Sequence, residues 1–260
     1  MPYETILVEV ADGVATVTLN RPRQMNSFNR VMAQEFRQLW ESVREDPEIR
    51  AIVLRSAGGR AFSTGVDVKE GWRAPGAREM PFEMDDPGEW LGPKSNKVWK
   101  PMIVAVSGMA AGGAFYWLNE ADIIICSEDA TFFDPHVTFG MVSAVEPVGA
   151  MARIPLSEIQ RMVLLGNHER ISAQTALRIS LVTEITSSDD LWARAAELAG
   201  LIADKHPVAI QGTVRAIWES QGVPRTIAVA NALKYTQIGN PISTAAIDRS
   251  SMTTPDWSLR

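Results

Sequence analysis

One histidine and two small-residue turns are the places in this chain where chemistry could sit. His136 lies in FFDPHVTFG, Phe132 to Gly140, straight after an apolar run and between a proline and a glycine, in a chain with only three histidines. An imidazole titrates near pH ~6.5, so it can accept or donate a proton at neutral pH. The same side chain could instead tie loop backbone together through Nδ1. Ser63-Thr64-Gly65-Val66-Asp67 and Ala111-Gly112-Gly113-Ala114 each join small residues to a strand end and a helix start. Backbone N–H groups at the beginning of a helix are unpaired, and glycine lets a polarised carbonyl or a phosphate come close to them. Two such groups converging from different loops would make an oxyanion hole, each donor lowering the barrier by about 3 kcal/mol. Paired glycines also occur where a helix packs tightly on a strand. Neither turn carries a G-x-G-x-x-G or Gly-Lys-Ser/Thr phosphate fingerprint.

These turns need a scaffold, and the pattern of the chain predicts one. TILVEV and VATVTL alternate on either side of Ala-Asp-Gly, a hairpin signal in which Gly13 supplies positive φ. Between Asn29 and Glu45, Val31, Met32, Phe36, Leu39, Trp40 and Val43 recur at helical spacing, and Pro47 ends the pattern. AIVLRS (Ala51 to Ser56), PMIVAVSG (Pro101 to Gly108) and ADIIICS read as buried strands. Strands alternating with helical patterns imply crossover connections and a largely parallel sheet covered by helices, an α/β fold. From Glu146 onward the rhythm is helical, with Ser157 and Ser172 as N-caps, and no strand signal follows Pro207. A core domain over 1–205 and a helical region over 206–260 are expected.

Composition narrows the function classes. A chain of 260 residues with 46% hydrophobic and 22% charged residues can bury a full core. The net charge of -6 argues against a nucleic-acid surface. No run approaches the ~20 apolar residues of a membrane span, and the first residues do not form a secretory leader, which predicts a cytoplasmic protein. Cys126 is the only cysteine, so an internal disulfide is excluded, and its apolar strand makes it a core residue.

The order of four blocks resembles the crotonase (enoyl-CoA hydratase/isomerase) superfamily: VATVTLNRPRQMNSFN, AIVLRSAGGRAFSTGVDVKE, KPMIVAVSGMAAGGAFYWLNEADIIICSEDATFFDPHVTFGMV and LLGNHERISAQTALRISLVTEI. The resemblance covers nearly the whole chain. It implies a spiral of ββα units, a C-terminal helical trimerisation region, and assembly as a homotrimer or a dimer of trimers. It implies an acyl-CoA thioester as substrate, with coenzyme A carried by the substrate, no separate cofactor and no metal. The N–H groups of Val66 and Gly113 match the oxyanion-hole positions that hold the thioester carbonyl as it becomes an enolate. Met25, Asn26 and Ser27, with Val66, Asp67, Val68 and Gly112, fall where relatives line the path of the CoA and its acyl group. The segment from Glu70 to Lys97 matches a variable region that walls the acyl pocket, which makes Trp72 and Trp90 candidate pocket residues.

The departures bear on the reaction. Hydratases of the superfamily share acid/base work between two glutamates, and by this resemblance those positions fall on Tyr116 and His136. Hydration needs a base for the water and an acid for the α-carbon, each within hydrogen-bond reach. His136 is the substitute, and superfamily members that hydrolyse cyclic β-diketones carry a similar Gly-Pro-His loop. Tyr116 could donate a hydrogen bond into the site or simply pack. Glu146, in SAVEPVG, could be an extra acid or a helix-start carboxylate beside Pro147. Asp134, before Pro135, reads as a turn residue. His168 and His206 belong to loop or cap contexts, and Tyr235 is either near substrate or a helical packing residue. Enoyl-CoA chemistry is therefore the leading expectation, with β-diketone carbon–carbon hydrolysis and a catalytically silent CoA-ester-binding homologue as rivals.

Overall fold

The computed structural model describes residues 3–71 and 86–250, with Met252, Trp257 and Leu259. Its elements run β1 (Ile6–Ala11), β2 (Val14–Leu19), α1 (Arg30–Glu45), β3 (Ala51–Ser56), β4 (Ala61–Ser63), α2 (Gly88–Leu91), β5 (Met102–Val106), β6 (Met109–Ala111), α3 (Phe115–Glu120) and β7 (Ile123–Ser127). They continue with β8 (Thr131–Phe133), α4 (Val145–Ala150), α5 (Leu156–Leu165), β9 (Ile171–Ser172), α6 (Ala173–Arg178), β10 (Glu184–Thr186), α7 (Leu191–Ala203), α8 (Pro207–Trp218) and α9 (Arg225–Ala245). The chain divides into two compact units, Met1–Asp204 and Lys205–Arg260. In the second, α8 and α9 pack on each other.

The first unit holds two sheets, ordered β1-β2-β3-β5-β7-β10 and β4-β6-β8-β9. The β1–β2 hairpin is antiparallel, in register from Ile6↔Leu19 to Ala11↔Val14, and turns through Asp12 and Gly13, both at positive φ as a tight hairpin turn requires. Every other pairing in the larger sheet is parallel. Side chains alternate along each strand, so the sheet has two buried faces. Ala51, Val53, Ile103, Ala105 and Ile125 meet Leu191, Ala195, Ala199 and Ala203 of α7, whose small residues at every fourth position let the helix lie close. Ile52, Leu54, Val104, Ile124 and Cys126 face the main core, where α1 contributes Met32, Phe36, Leu39, Trp40 and Val43.

The helix expected from Asn29 forms as α1, with the Asn29 side chain accepting from Met32 N at 3.0 Å. Ser172 caps α6 through Thr175 N, as expected. Ser157 does not cap. Pro155 occupies the cap position of α5, because a proline has no N–H to leave unpaired and its fixed φ turns the chain into the helix. The rhythm after Glu146 is not purely helical, since β9 and β10 interrupt it. Their two and three residues give each strand too few alternations to register as a period. Among the described residues, no helix is long and apolar enough to cross a membrane.

Candidate active site

The two small-residue turns meet. The smaller sheet sets β4 parallel to β6, so the turns that follow these strands leave the same edge side by side. A Cβ on Gly65, which has φ 83°, would lie 2.7 Å from Gly113 N, and a Cβ on Gly113 would lie 2.7 Å from Cε1 of Phe28. Only glycine lets the backbones approach this closely. Phe28 holds the first turn from its other side, its N–H donating to Gly65 O at 2.8 Å and its carbonyl accepting from Asp67 N at 2.8 Å. Neither Val66 N nor Gly113 N has an acceptor among the described residues. An unengaged N–H group at each of two neighbouring turns is what an oxyanion hole would require.

His136 stands against this turn. Gly112 has φ 51°, and a Cβ there would lie 3.5 Å from Cε1 of His136 and 3.4 Å from Cδ of Pro135. The imidazole follows a tight turn fixed by Asp134, whose Oδ1 accepts from His136 N at 3.0 Å and pairs with Nδ1 at 2.7 Å. Its other oxygen accepts from Ser143 Oγ at 2.8 Å. Asp134 is completely buried, so its carboxylate cannot be solvated away from the ring. That bond raises the His136 pKa above the ordinary imidazole value, with partial burial opposing it. Burial pushes Asp134 upward, but the bonds from His136 and Ser143 outweigh it and the carboxyl ends below its usual range. With Nδ1 engaged, Nε2 is the nitrogen left for chemistry.

Glu146 faces that nitrogen, its Oε1 3.7 Å from Nε2 of His136. It is buried at the start of α4, and burial raises its pKa against the pull of the imidazolium. Tyr116, on the first turn of α3, donates to Asp86 Oδ2 at 2.9 Å. Burial, with the charges of Glu146 and Asp86, pushes the phenol far above its usual pKa. Sequence reasoning missed Asp86 and Ser143, and gave Asp134 only its turn role. Asp86-Pro87 and Asp134-Pro135 share one signal, an aspartate before a proline whose Oδ1 accepts the N–H two residues on.

The other candidates separate. Met25 and Asn26 both adopt left-handed backbone, at φ 54° and 53°. The Asn26 amide is fully used, accepting from Arg21 N and donating to the carbonyls of Ala57 and Ala61. Ser27 donates to Gln24 O, and Asp67 pairs with Arg21 at 3.0 Å and caps Lys69 N. The side chains of Asn26, Ser27 and Asp67 thus fix the loop, while Met25 and Val66 are partly exposed and Val68 is exposed. Trp90 is partly buried against the main core with Arg37 5.6 Å above its ring, and Trp72 lies outside the described residues. Tyr235 is tied to Glu219 in the second unit, His206 caps α8, and His168 is exposed. Cys126 is a core thiol pushed up to about 12 by burial.

Two mainly parallel sheets, with the two glycine turns brought together at the end of the smaller one, are the architecture of an α/β enzyme of the crotonase superfamily. The model for the Enoyl-CoA hydratase/isomerase family matches residues 9–214, and the chain belongs to that family. It is 34% identical over 220 residues to the (E)-benzylidenesuccinyl-CoA hydratase of Thauera aromatica, covering 84% of each chain. It is 29% identical over 251 residues to the short-chain-enoyl-CoA hydratase of Clostridium acetobutylicum, covering 94% of this chain and 92% of the relative. An enoyl-CoA hydratase/isomerase crystal structure from Mycobacterium paratuberculosis superposes with a TM-score of 0.80 at 34% identity, covering 91% of this chain and 90% of that one.

Proposed function

We propose that this enzyme adds water to, or removes it from, an acyl-CoA thioester, with His136 as the principal proton-transfer residue. The observation that carries this reading is the placement of a single imidazole, backed by the buried carboxylate of Asp134, against the Gly112-Gly113 turn and opposite Glu146. Val66 N and Gly113 N stabilise the thioester oxygen as charge collects on it, and Nε2 of His136 exchanges a proton with the water. A water 2.8 Å from both Nε2 and Oε1 fits ordinary hydrogen-bond geometry across a 3.7 Å gap. The relatives' names, two hydratases among them, favour hydration over the other reactions of the family. Coenzyme A enters as part of the substrate, and the α8–α9 unit joins copies of the chain as a trimer or a dimer of trimers.

The Asp134–His136 pair would equally activate water against a ketone, which supports carbon–carbon hydrolysis of a β-diketone as a second reading. A mass-spectrometric screen of acyl-CoA thioesters, with His136→Ala alongside, separates the two. Mass gain of one water on an enoyl-CoA, absent with His136→Ala, supports hydration. Cleavage of a cyclic diketone lacking CoA supports the hydrolase, and tight CoA binding without any turnover contradicts both.

A further inference from the structure

The carboxylate behind His136 is held at both ends. Oδ1 of Asp134 faces the imidazole, 2.7 Å from Nδ1, and Oδ2 accepts from Ser143 Oγ at 2.8 Å. Asp134 is completely buried, so its oxygens depend on donors from the protein. Ser143 itself is half-buried, at the end of a loop that leaves the turn His136–Phe139 through Gly140 at φ 72°. Apolar packing does not explain where this loop lies, because Phe139, Met141 and Val142 are exposed. Two hydrogen bonds draw it back, one from Met141 N to His136 O at 3.0 Å and the other from Ser143 to Asp134. The residue after Ser143 is Ala144, the N-cap of α4, which makes no side-chain cap. A serine at that position would cap the helix. Here the serine stands one residue early, and its hydroxyl is committed to Asp134 instead. Ser143 precedes Glu146 by three residues, so the same bond ties the start of α4 to the turn that carries His136.

We propose that Ser143 is a positioning residue: its hydroxyl fixes the Asp134 carboxylate with Oδ1 toward Nδ1 and draws part of the negative charge away from the imidazole, which keeps Nε2 available as a base near neutral pH. The inference rests on the reading of His136 as the group that takes a proton from water. The charged groups that act on the imidazole are Asp134 from its own turn and Glu146 from α4, whose Oε1 is 3.7 Å from Nε2, and Asp86 and Tyr116 act on Glu146 in turn. The helix α5 and the turn Gly166–His168 meet the His136 turn at Thr138, whose Oγ1 accepts from Asn167 N at 2.9 Å. Their titratable groups are Glu158, which pairs with Arg178, Arg161, which pairs with Glu169, and the exposed His168. A hydrogen bond to a carboxylate stabilises its charge and weakens its pull on a neighbouring proton. Without the Ser143 hydroxyl, Oδ2 is left with no donor among the described residues, and the imidazolium is held more tightly. Asp134 and Ser143 thus act on His136 in opposite directions, the first strengthening its hold on a proton and the second moderating it.

The test is a nitrogen NMR titration of protein labelled in its histidine rings, with His136→Ala identifying the signal, run on the wild type, Ser143→Ala and Ser143→Thr beside kcat/KM profiles for an enoyl-CoA. In Ser143→Ala the His136 midpoint should rise by about 0.5 pH or more, and the acidic limb of kcat/KM should move up with it, opposite to the shift expected of Asp134→Asn. KM should change little. Ser143→Thr keeps the hydroxyl and should return both readings to the wild-type values. A midpoint that stays or falls in Ser143→Ala overturns the proposal, since the serine would then only brace the loop. Equal shifts in Ser143→Ala and Ser143→Thr overturn it too, because the hydroxyl would not be their cause. Circular dichroism checks folding, and if Ser143→Ala does not fold, Ser143→Cys, a weaker donor, must raise the midpoint in its place. Absence of enoyl-CoA turnover by the wild type defeats the hydration reading instead, and the titration, which needs no substrate, still decides the part played by Ser143.

Discussion

At the scale of residues, the site is built around one imidazole whose behaviour is set by a buried carboxylate. His136→Ala should lower kcat for the physiological thioester by about 10²- to 10⁴-fold, the range for loss of a general acid or base, measured by steady-state kinetics. Asp134→Asn removes the group that stabilises the imidazolium, so the His136 pKa drops. The acidic limb of the kcat/KM profile, which reports the neutral base appearing as pH rises, should then move to lower pH, with a smaller maximum rate. The same pair makes stability depend on pH. The lowered pKa of Asp134 contributes stability that is complete above about pH 3.9 and lost as pH falls through its folded value. The raised pKa of His136 contributes stability that is complete below about pH 6.5 and lost as pH rises through its folded value. Thermal melts of Asp134→Asn should therefore show the largest deficit near pH ~5 and a smaller one in alkali. His136 and Glu146 could be singled out in sequence because a rare histidine and an acid at a helix start are visible there. Asp134 looked like a turn aspartate because it is one, and its second role depends on burial and on Ser143, which no local pattern encodes.

At the scale of elements, the site depends on two strand-end turns that touch. A Cβ on Gly113 would meet the Phe28 ring, and one on Gly65 would meet the Gly113 backbone at a φ that side chains rarely adopt. Gly113→Ala should thus reduce kcat by about 10²- to 10³-fold, comparable to removing an oxyanion donor, while KM changes less. Its melting temperature should also fall, because Phe28 has to move. The turns were readable as small-residue stretches with glycine beside apolar runs, and the long strands and α1 were readable from periods of two and 3.6. The three-residue strands β4, β6 and β8 were not, although they bring the turns together. Their pairing is fixed by Gly108 at φ 65°, where a side chain would collide with the Arg60 carbonyl as the chain passes from β5 to β6. Ser157 misled for a related reason: a good capping residue was outranked by the proline two positions before it.

At the scale of the whole molecule, the unit Lys205–Arg260 exposes Ile227, Val229, Leu233, Ile238 and Ile242 along α9. A helix with that much exposed apolar surface calls for a partner. Sedimentation velocity should give three or six times the chain mass of 28.5 kDa, and Ile238→Asp with Ile242→Asp should shift the protein to smaller species. A monomer at micromolar concentration would refute the assembly. The family was legible in the sequence because four collinear blocks lie in order between Val14 and Ile185, whereas the reaction was not, since it turns on which side chains face one another across the gap at His136. The most direct test of that reaction follows the loss of the α,β-unsaturated absorbance of a series of enoyl-CoA thioesters with wild type and His136→Ala. Turnover of at least one thioester by the wild type is expected, with a drop of at least about 10²-fold in the variant. Equal rates for the two proteins, or no loss of absorbance with any thioester, would contradict it.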